Sequence, residues 1–249
     1  MNKIVVFDIW ADYGHFRVPY TTSSPITYPV PPKTAIYGII GAILGHAKRI
    51  DDKNVYLKYF QDEKWKVAIS IKKPIKTVYI PENFIDTKRA KLFGRMPKDK
   101  PSRTQINLEF LKDPFYRLYI TSSDTYGLTE LKSYLAEHKT VFTLSLGLSE
   151  CLSNFKYIGF FEYEEMNTDE DYVEICSIIP FENLLNSNQI NFLEKSSKFL
   201  KIHLPLEMKP DRELIKSGYF LIEANGNTIK YKKGKFFHVK ELNENILLF

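Results

Sequence analysis

Residues 3–10, KIVVFDIW, alternate between two faces, with Val5, Phe7 and Ile9 on one and Ile4, Val6, Asp8 and Trp10 on the other. That period of two predicts a strand. Over 34–47 the period lengthens. Apolar residues recur at helical spacing while Gly38, Gly41, Ala42 and Gly45 leave a bare stripe, so a helix is predicted. A glycine weakens a lone helix by about 1 kcal/mol against alanine, so the stripe argues for close backbone contact with a sheet or a ligand. Gly41–Gly45 matches the GxxxG membrane motif only weakly, and packing is the preferred reading. Further strands are predicted at 66–72 (Val67, Ile69 and Ile71 inward), 115–121 and 155–163, and a second helix at 127–138.

The resulting order, β-α-β-β-α-β, predicts an α+β, ferredoxin-like (RRM-like) domain over 1–165, an architecture shared with RNA-recognition modules. Between its second and third strands lies a long excursion, 74–114. Its ends, TVYIPENFI and TQINLEFLKD, are predicted to pair as an antiparallel hairpin with DTKRAKLFGRMPKDKPSR at the tip. Loops this long in compact domains are usually functional or disordered. Seven carboxylates between Glu162 and Glu174 predict a solvated connector. Beyond it, 166–249 reads as a small β-rich unit in which NGN, 225–227, predicts a hairpin. Lys230, Lys232, Lys233 and Lys235 give this unit a basic patch of its own.

Composition narrows the class. The chain has 249 residues, 44% of them hydrophobic and 14% aromatic, which is enough for a core and argues against disorder. The longest apolar run, about 35–45, is far short of a membrane helix, and the N-terminus opens directly into a strand pattern, so neither a signal peptide nor a membrane anchor is expected. Cys151 and Cys176 make no disulfide framework or metal spacing, and a reduced, cytoplasmic protein without cofactor or metal is expected. Net charge is +5, but Lys72–Arg103 holds ten basic and three acidic residues, a net +7, which leaves −2 for the rest. Charge gathered in one segment points either to a polyanion partner or to a solvated surface loop.

Catalytic motifs are scarce: there is no P-loop, no dinucleotide-binding GxGxxG and no HExxH. His46 and His138 fall at predicted helix C-termini, where they favour the dipole. His15 instead lies beside Arg17 and Tyr20 in GHFRVPY. With Tyr20 and Lys33 it can be read as a metal-free acid–base set for RNA cleavage, or more simply as an RNA contact. The stretch PYTTSSPITYPVPPKTA, 19–35, runs straight into the helix. Pro31 and Pro32 deliver the chain extended, so Lys33, Thr34 and the amides of Ala35 and Ile36 are expected to form an outward-facing phosphate site. Thr21, Thr22, Ser23, Ser24 and Thr27 add hydroxyls, and Tyr20 and Tyr28 add stacking surfaces. An ordinary helix start behind a rigid loop is the plain alternative. In SLGLSECLSNF, 145–155, Gly147 permits a tight turn and Ser149 can cap or pair with Glu150.

Three features together carry a resemblance: the opening FDIWADYGHFRVPYTTSSPITYPVPPKTAIYGIIGAILG, its PPKTA before a glycine-rich helix, and the later LGLSEC. The chain resembles the fifth family of CRISPR-associated proteins, within the RAMP superfamily, in its type I-B form. The match covers roughly 3–48 and 141–160, and the rest fits by layout. No RNP1 sequence is present; YIGFFEY, 157–163, only approaches one.

The resemblance implies a non-catalytic subunit of the Cascade surveillance complex that caps and grips the 5′ handle of CRISPR RNA in antiviral defence. The excursion becomes a thumb over the RNA. The implied partners are the Cascade backbone subunit, the large subunit that reads the protospacer-adjacent motif, and target DNA indirectly. The residues expected to touch RNA are His15, Arg17, Tyr20, Thr22, Ser23, Tyr28, Lys33 and Thr34 from the opening segment, Arg89, Lys91, Arg95 and Arg103 from the excursion, and Gly147 and Ser149 from the later turn. Some relatives of another subtype cut the RNA precursor themselves. A metal-independent endoribonuclease that processes repeat RNA is therefore the alternative, and a protein–protein adaptor is a third reading.

Overall fold

A computed structural model describes residues 2–21, 23–46, 56–62, 64–85, 103–169, 171–184, 186–193, 196–209 and 211–249. In chain order its elements are β1 (Lys3–Ala11), β2 (Tyr13–Gly14), α1 (Lys33–Leu44), α2 (Tyr56–Asp62), β3 (Lys66–Ile71), β4 (Thr77–Ile85), β5 (Arg103–Lys112), β6 (Phe115–Thr121), α3 (Thr125–Ala136) and β7 (Ser153–Thr168). The remaining strands are short or paired: β8 (Val173–Ile175), β9 (Ile179–Pro180), β10 (Phe199–Met208), β11 (Leu214–Glu223), β12 (Ile229–Tyr231), β13 (Gly234–Val239) and β14 (Glu244–Ile246). The fold is mixed α+β, with many strands and few helices. Among the described residues no helix is long and apolar enough to cross a membrane.

The largest sheet has the order β12-β8-β14-β13-β7-β1-β6-β3. Its β7-β1-β6-β3 portion is antiparallel throughout, with β1 between β6 and β7. One face takes Val5, Phe7 and Ile9 of β1 with Val67 and Ile69 of β3, and packs them under α1 and α3. The helix α1 drives Ile36, Ile39, Ile40 and Ile43 into this core, each burial being worth roughly 1.5–3 kcal/mol. It ends where Gly45 turns left-handed, at φ +83°, and donates its N–H to the Gly41 carbonyl. The helix α3 starts at Asp124, whose carboxylate accepts from the Gly127 N–H at 3.0 Å. The alternation read from the sequence thus places every strand and helix expected before residue 165.

The opposite face is also dry. Ile4, Val6, Ala68 and Tyr119 are fully buried beneath Val239, Ile246 and Leu248, because the sheet curls until its C-terminal strands lie over the middle. A polar cluster joins the layers. Arg117 donates to both oxygens of Asp8, its cross-strand neighbour, at 2.7 and 3.1 Å. The Glu244 carboxylate accepts from Arg117 at 2.9 Å, Lys72 at 3.2 Å and the Tyr119 hydroxyl at 2.5 Å. The curl also covers the free edge of β3, where Val67 exchanges backbone bonds with Phe249 and Ile178 donates to the Ile69 carbonyl.

Two expectations for the C-terminal part change. The acidic stretch that read as a connector is mostly strand: β7 continues to Thr168 and pairs with β13 from Tyr163 onward. Carboxylates are tolerated in an exposed strand where cations face them: Glu164 and Glu165, consecutive and both exposed, pair with Lys240 and Lys235. The NGN turn does not close a hairpin. On one side β11 pairs with β10 and β9, and on the other β12 pairs with β8. The turn is organised by Glu223, only 3% exposed, whose carboxylate accepts from the backbone of Lys198, Asn225 and Asn227.

Candidate nucleic-acid interface

The opening segment is a short, internally braced hairpin. Tyr28 N–H donates to the Phe16 carbonyl at 2.8 Å and Val18 N–H to that of Ile26 at 3.0 Å. Phe16 N–H donates to the Thr27 hydroxyl, which in turn donates to the Tyr28 carbonyl, each at 2.9 Å. Phe16, Val18, Tyr28 and Val30 sink into the main core, and the Tyr116 hydroxyl holds the Pro29 carbonyl at 2.7 Å. What remains outside is the tip: Tyr20 is 77% exposed, and Arg17, Ser23 and Ser24 are exposed beside it. The Arg17 guanidinium spends one bond on the Thr21 carbonyl and, among the described residues, is otherwise available to an anion.

This hairpin is fastened to the base of the long excursion by one residue. Glu109, on β5, takes the Thr27 N–H on its carboxylate at 3.1 Å, gives its own N–H to Pro25 O at 3.0 Å, and accepts His15 Nδ1–H on its carbonyl at 2.7 Å. The acceptor is a carbonyl, so Nδ1 carries the proton. His15 is 2% exposed, with its ring against Phe110. The excursion itself pairs as expected, β4 with β5 from Thr77↔Leu111 to Ile85↔Arg103, and β2 extends it at Lys112 and Leu111. Val78, Ile80 and Ile106 pack with Leu108, Phe110 and Cys151 on one side. Tyr79, opposite Glu109 in register and 59% exposed, and Phe84, 47% exposed, stay in solvent.

The LGLSEC turn docks from the other direction. Leu146 accepts the His15 N–H at 2.9 Å, and Gly147 is left-handed at φ +94°. A Cβ on Gly147 would lie 1.9 Å from the His15 carbonyl oxygen, so only glycine lets the two backbones meet. Ser149, exposed, donates to Glu150 at 3.1 Å.

The start of α1 is not the open phosphate site that the prolines led one to expect. The N–H groups of Ala35 and Ile36 both bond the Pro32 carbonyl, at 2.9 and 3.0 Å. Pro31, Pro32 and Thr34 are buried. Lys33 is half-buried with its ammonium 5.8 Å from the Tyr37 ring centre. Burial lowers its pKa to about 8, while Glu207 on β10 pulls the other way. The fixed φ of Pro32 favours a tight first turn, and the β10–β11 layer closes over it.

Of the residues expected at the site, then, Arg17, Tyr20 and Ser23 share one exposed tip, and His15 and Gly147 meet beneath it as buried or backbone supports. Tyr28, 8% exposed, and Thr34, 9% exposed, face the interior. Lys33 stands apart beside β10. Arg103 opens β5 opposite Ile85. Thr22, Arg89, Lys91 and Arg95 lie outside the described residues. Sequence reasoning passed over Glu109, because nothing marks one carboxylate in a strand pattern as a clasp. Tyr79 was legible as the outward member of an alternating run. The sheet face on which RNA-recognition modules stack bases is here covered by the chain's own β14 and its flanks.

A family model described as CRISPR-associated protein (Cas_Cas5) matches residues 4–189. No curated protein sequence matches the chain. Among solved structures it is similar to a CRISPR protein from Archaeoglobus fulgidus, at 12% identity and a TM-score of 0.52 over 98% of each chain. It is also similar to a chain of a CRISPR RNA-guided surveillance complex, at 11% identity and a TM-score of 0.50 over 91% of each chain. At these identities the likeness is one of fold.

Proposed function

Since the chain belongs to the Cas5 family of CRISPR-associated proteins, we propose that it is a non-catalytic subunit of a type I-B Cascade complex that holds the 5′ handle of CRISPR RNA. The fold is consistent with a ferredoxin-like domain over 1–165, since β7-β1-β6-β3 follows the strand order of that fold. The β-rich C-terminal part, expected over 166–249, joins that domain through β7 and through Ile178, Leu204 and Phe220 in the main core. The backbone subunit and the large subunit that reads the protospacer-adjacent motif are the expected neighbours, with target DNA met through them.

One observation carries the reading: Glu109 clasps the opening hairpin, with Arg17, Tyr20 and Ser23 at its tip, to the β4–β5 base of the excursion, and the sequence from 72 to 103 has a net charge of +7. An exposed guanidinium takes phosphate, the tyrosine stacks an unpaired base, and the lysines of the excursion follow the backbone. His15, the expected acid–base group of a nuclease, is buried and committed to the Glu109 carbonyl, which favours holding over cutting. In a filter-binding titration with repeat-derived handle RNA, Tyr20→Ala should weaken binding about 5- to 100-fold, the worth of one stacked base. Arg17→Ala should weaken it further and lessen the salt dependence. Unchanged affinity in both variants would put the RNA on another surface. Site-specific cleavage of the RNA in EDTA would replace the binding role with the nuclease.

A further inference from the structure

A second basic feature lies at the end of the central sheet away from the excursion. There the starts of β1 and β3, the end of β6 and the first turn of α3 surround a cleft of about 590 Å³. Three lysines line it, Lys3, Lys64 and Lys66, and no carboxylate is among the described residues that do. Lys3 is already paired, with Glu162 at 3.0 Å. Lys64 and Lys66 are exposed and have no ion pair among the described residues. Two like charges with no counter-ion among the described residues raise the potential of the cleft and favour an anion in it.

Hydroxyls make up most of the rest of the wall. Thr121 donates to the Lys3 carbonyl at 2.8 Å and lies 3.3 Å from the Tyr163 hydroxyl, which fixes the two sides together. Ser122, Ser123, Thr125 and Thr129 add further hydroxyls. One side is aromatic: Phe160, half-buried, has the ammoniums of Lys3 and Lys132 at 5.9 and 6.0 Å from its ring centre. A simple anion site needs no flat apolar wall, and an apolar pocket needs no lysines. Their combination in a cleft within the usual range for small ligands, roughly 300–1,000 Å³, suits a molecule with a phosphate at one end and a planar ring at the other.

We propose that this cleft binds a nucleoside phosphate, with Lys64, Lys66 and the hydroxyls around the phosphate and Phe160 beside the base. The same chemistry is offered by a free nucleotide and by one unit of a polynucleotide strand. The cleft is at the far end of the sheet from Arg17 and Tyr20, so it does not depend on the handle reading.

The test is calorimetric titration of the full chain with uridine 5′-monophosphate, uridine, inorganic phosphate and a short 5′-phosphorylated oligouridylate. The expected result is binding of the monophosphate, no binding of uridine, and a loss of at least about tenfold in the Lys64→Glu/Lys66→Glu variant. Both lysines are exposed, and an unchanged unfolding midpoint will show that the variant is folded. Phe160→Leu should erase the preference for the monophosphate over inorganic phosphate. Saturation by the oligouridylate alone, lost in the double variant, would identify the ligand as a strand. Equal binding by wild type and double variant, binding of uridine as tight as that of its phosphate, or no saturation by either nucleotide probe would overturn the proposal. Arg17→Ala/Tyr20→Ala should leave the monophosphate titration unchanged, which keeps this outcome apart from the handle experiment.

Discussion

Gly147 and His15 meet backbone to backbone, at a separation that leaves no room for even a methyl group on Gly147. Gly147→Ala must therefore move either the LGLSEC turn or the start of the opening hairpin, and it must also hold alanine at φ +94°. A loss of roughly 2–4 kcal/mol is expected, combining backbone strain with a displaced contact. Urea unfolding measures it. A cost below about 0.5 kcal/mol, typical of a free surface position, would mean that the turn is not docked.

His15 acts on stability through one donated bond. His15→Ala leaves the Glu109 carbonyl without its partner, at a cost of about 1–3 kcal/mol. His15→Asn can offer an amide N–H in nearly the same place and should recover part of that loss. Thermal unfolding separates the two variants. A catalytic role would instead show as loss of RNA cleavage with stability unchanged.

Acid should loosen the curl of the sheet. Burial works to raise the Glu244 pKa, but the Tyr119 hydroxyl and the Lys72 and Arg117 charges outweigh it and hold the carboxyl below its ordinary value of 4.5. The lowered folded value means that this stabilisation is present above the unfolded carboxylate's pKa and is lost as pH falls through the folded one. Glu244→Gln should cost about 1–3 kcal/mol at neutral pH and flatten the fall in stability below pH 4.5. Urea midpoints across that range check both parts.

Lys33 gives a slope of the same sign in the alkaline range, but there it is the charged form that destabilises the fold. Its folded pKa, about 8, lies below the ordinary 10.5, so between those values the unfolded chain holds more protons and stability rises with pH. Lys33→Met should stabilise the protein at pH 7 by on the order of 1–3 kcal/mol, and the advantage should fade toward pH 10.5. Denaturation of both proteins over this range is the measurement.

Most of the fold before residue 165 could be read from period alone, because one-faced strands and helices write their burial into the spacing of Val5, Phe7 and Ile9 or of Ile36, Ile39, Ile40 and Ile43. The C-terminal part could not. Its strands are two to ten residues long, and their pairing is decided by the curl of the sheet. The NGN turn therefore had local hairpin chemistry, but its flanking strands belong to different sheets. At the candidate site, the exposed tip with Arg17 and Tyr20 was legible as a proline-bounded polar loop. The Glu109 clasp was not, since its three partners come from positions 82 to 94 residues away in sequence. The buried start of α1 was misread because proline chemistry reports the entry angle of a chain and says nothing of what packs over it.

The central place of β1 also matters before the protein is finished. The sheet neighbours of β1 are β6 and β7, which begin only at Phe115 and Ser153, far later in the chain. At a synthesis rate of about 5–20 residues per second, β1 waits roughly 5–20 s for its first partner, with both apolar faces and both edges uncovered. A nascent chain in that interval is a good client for chaperones that hold unfolded chains. Synonymous codon changes that slow translation between residues 12 and 115 should lower soluble yield while leaving the purified protein's stability untouched.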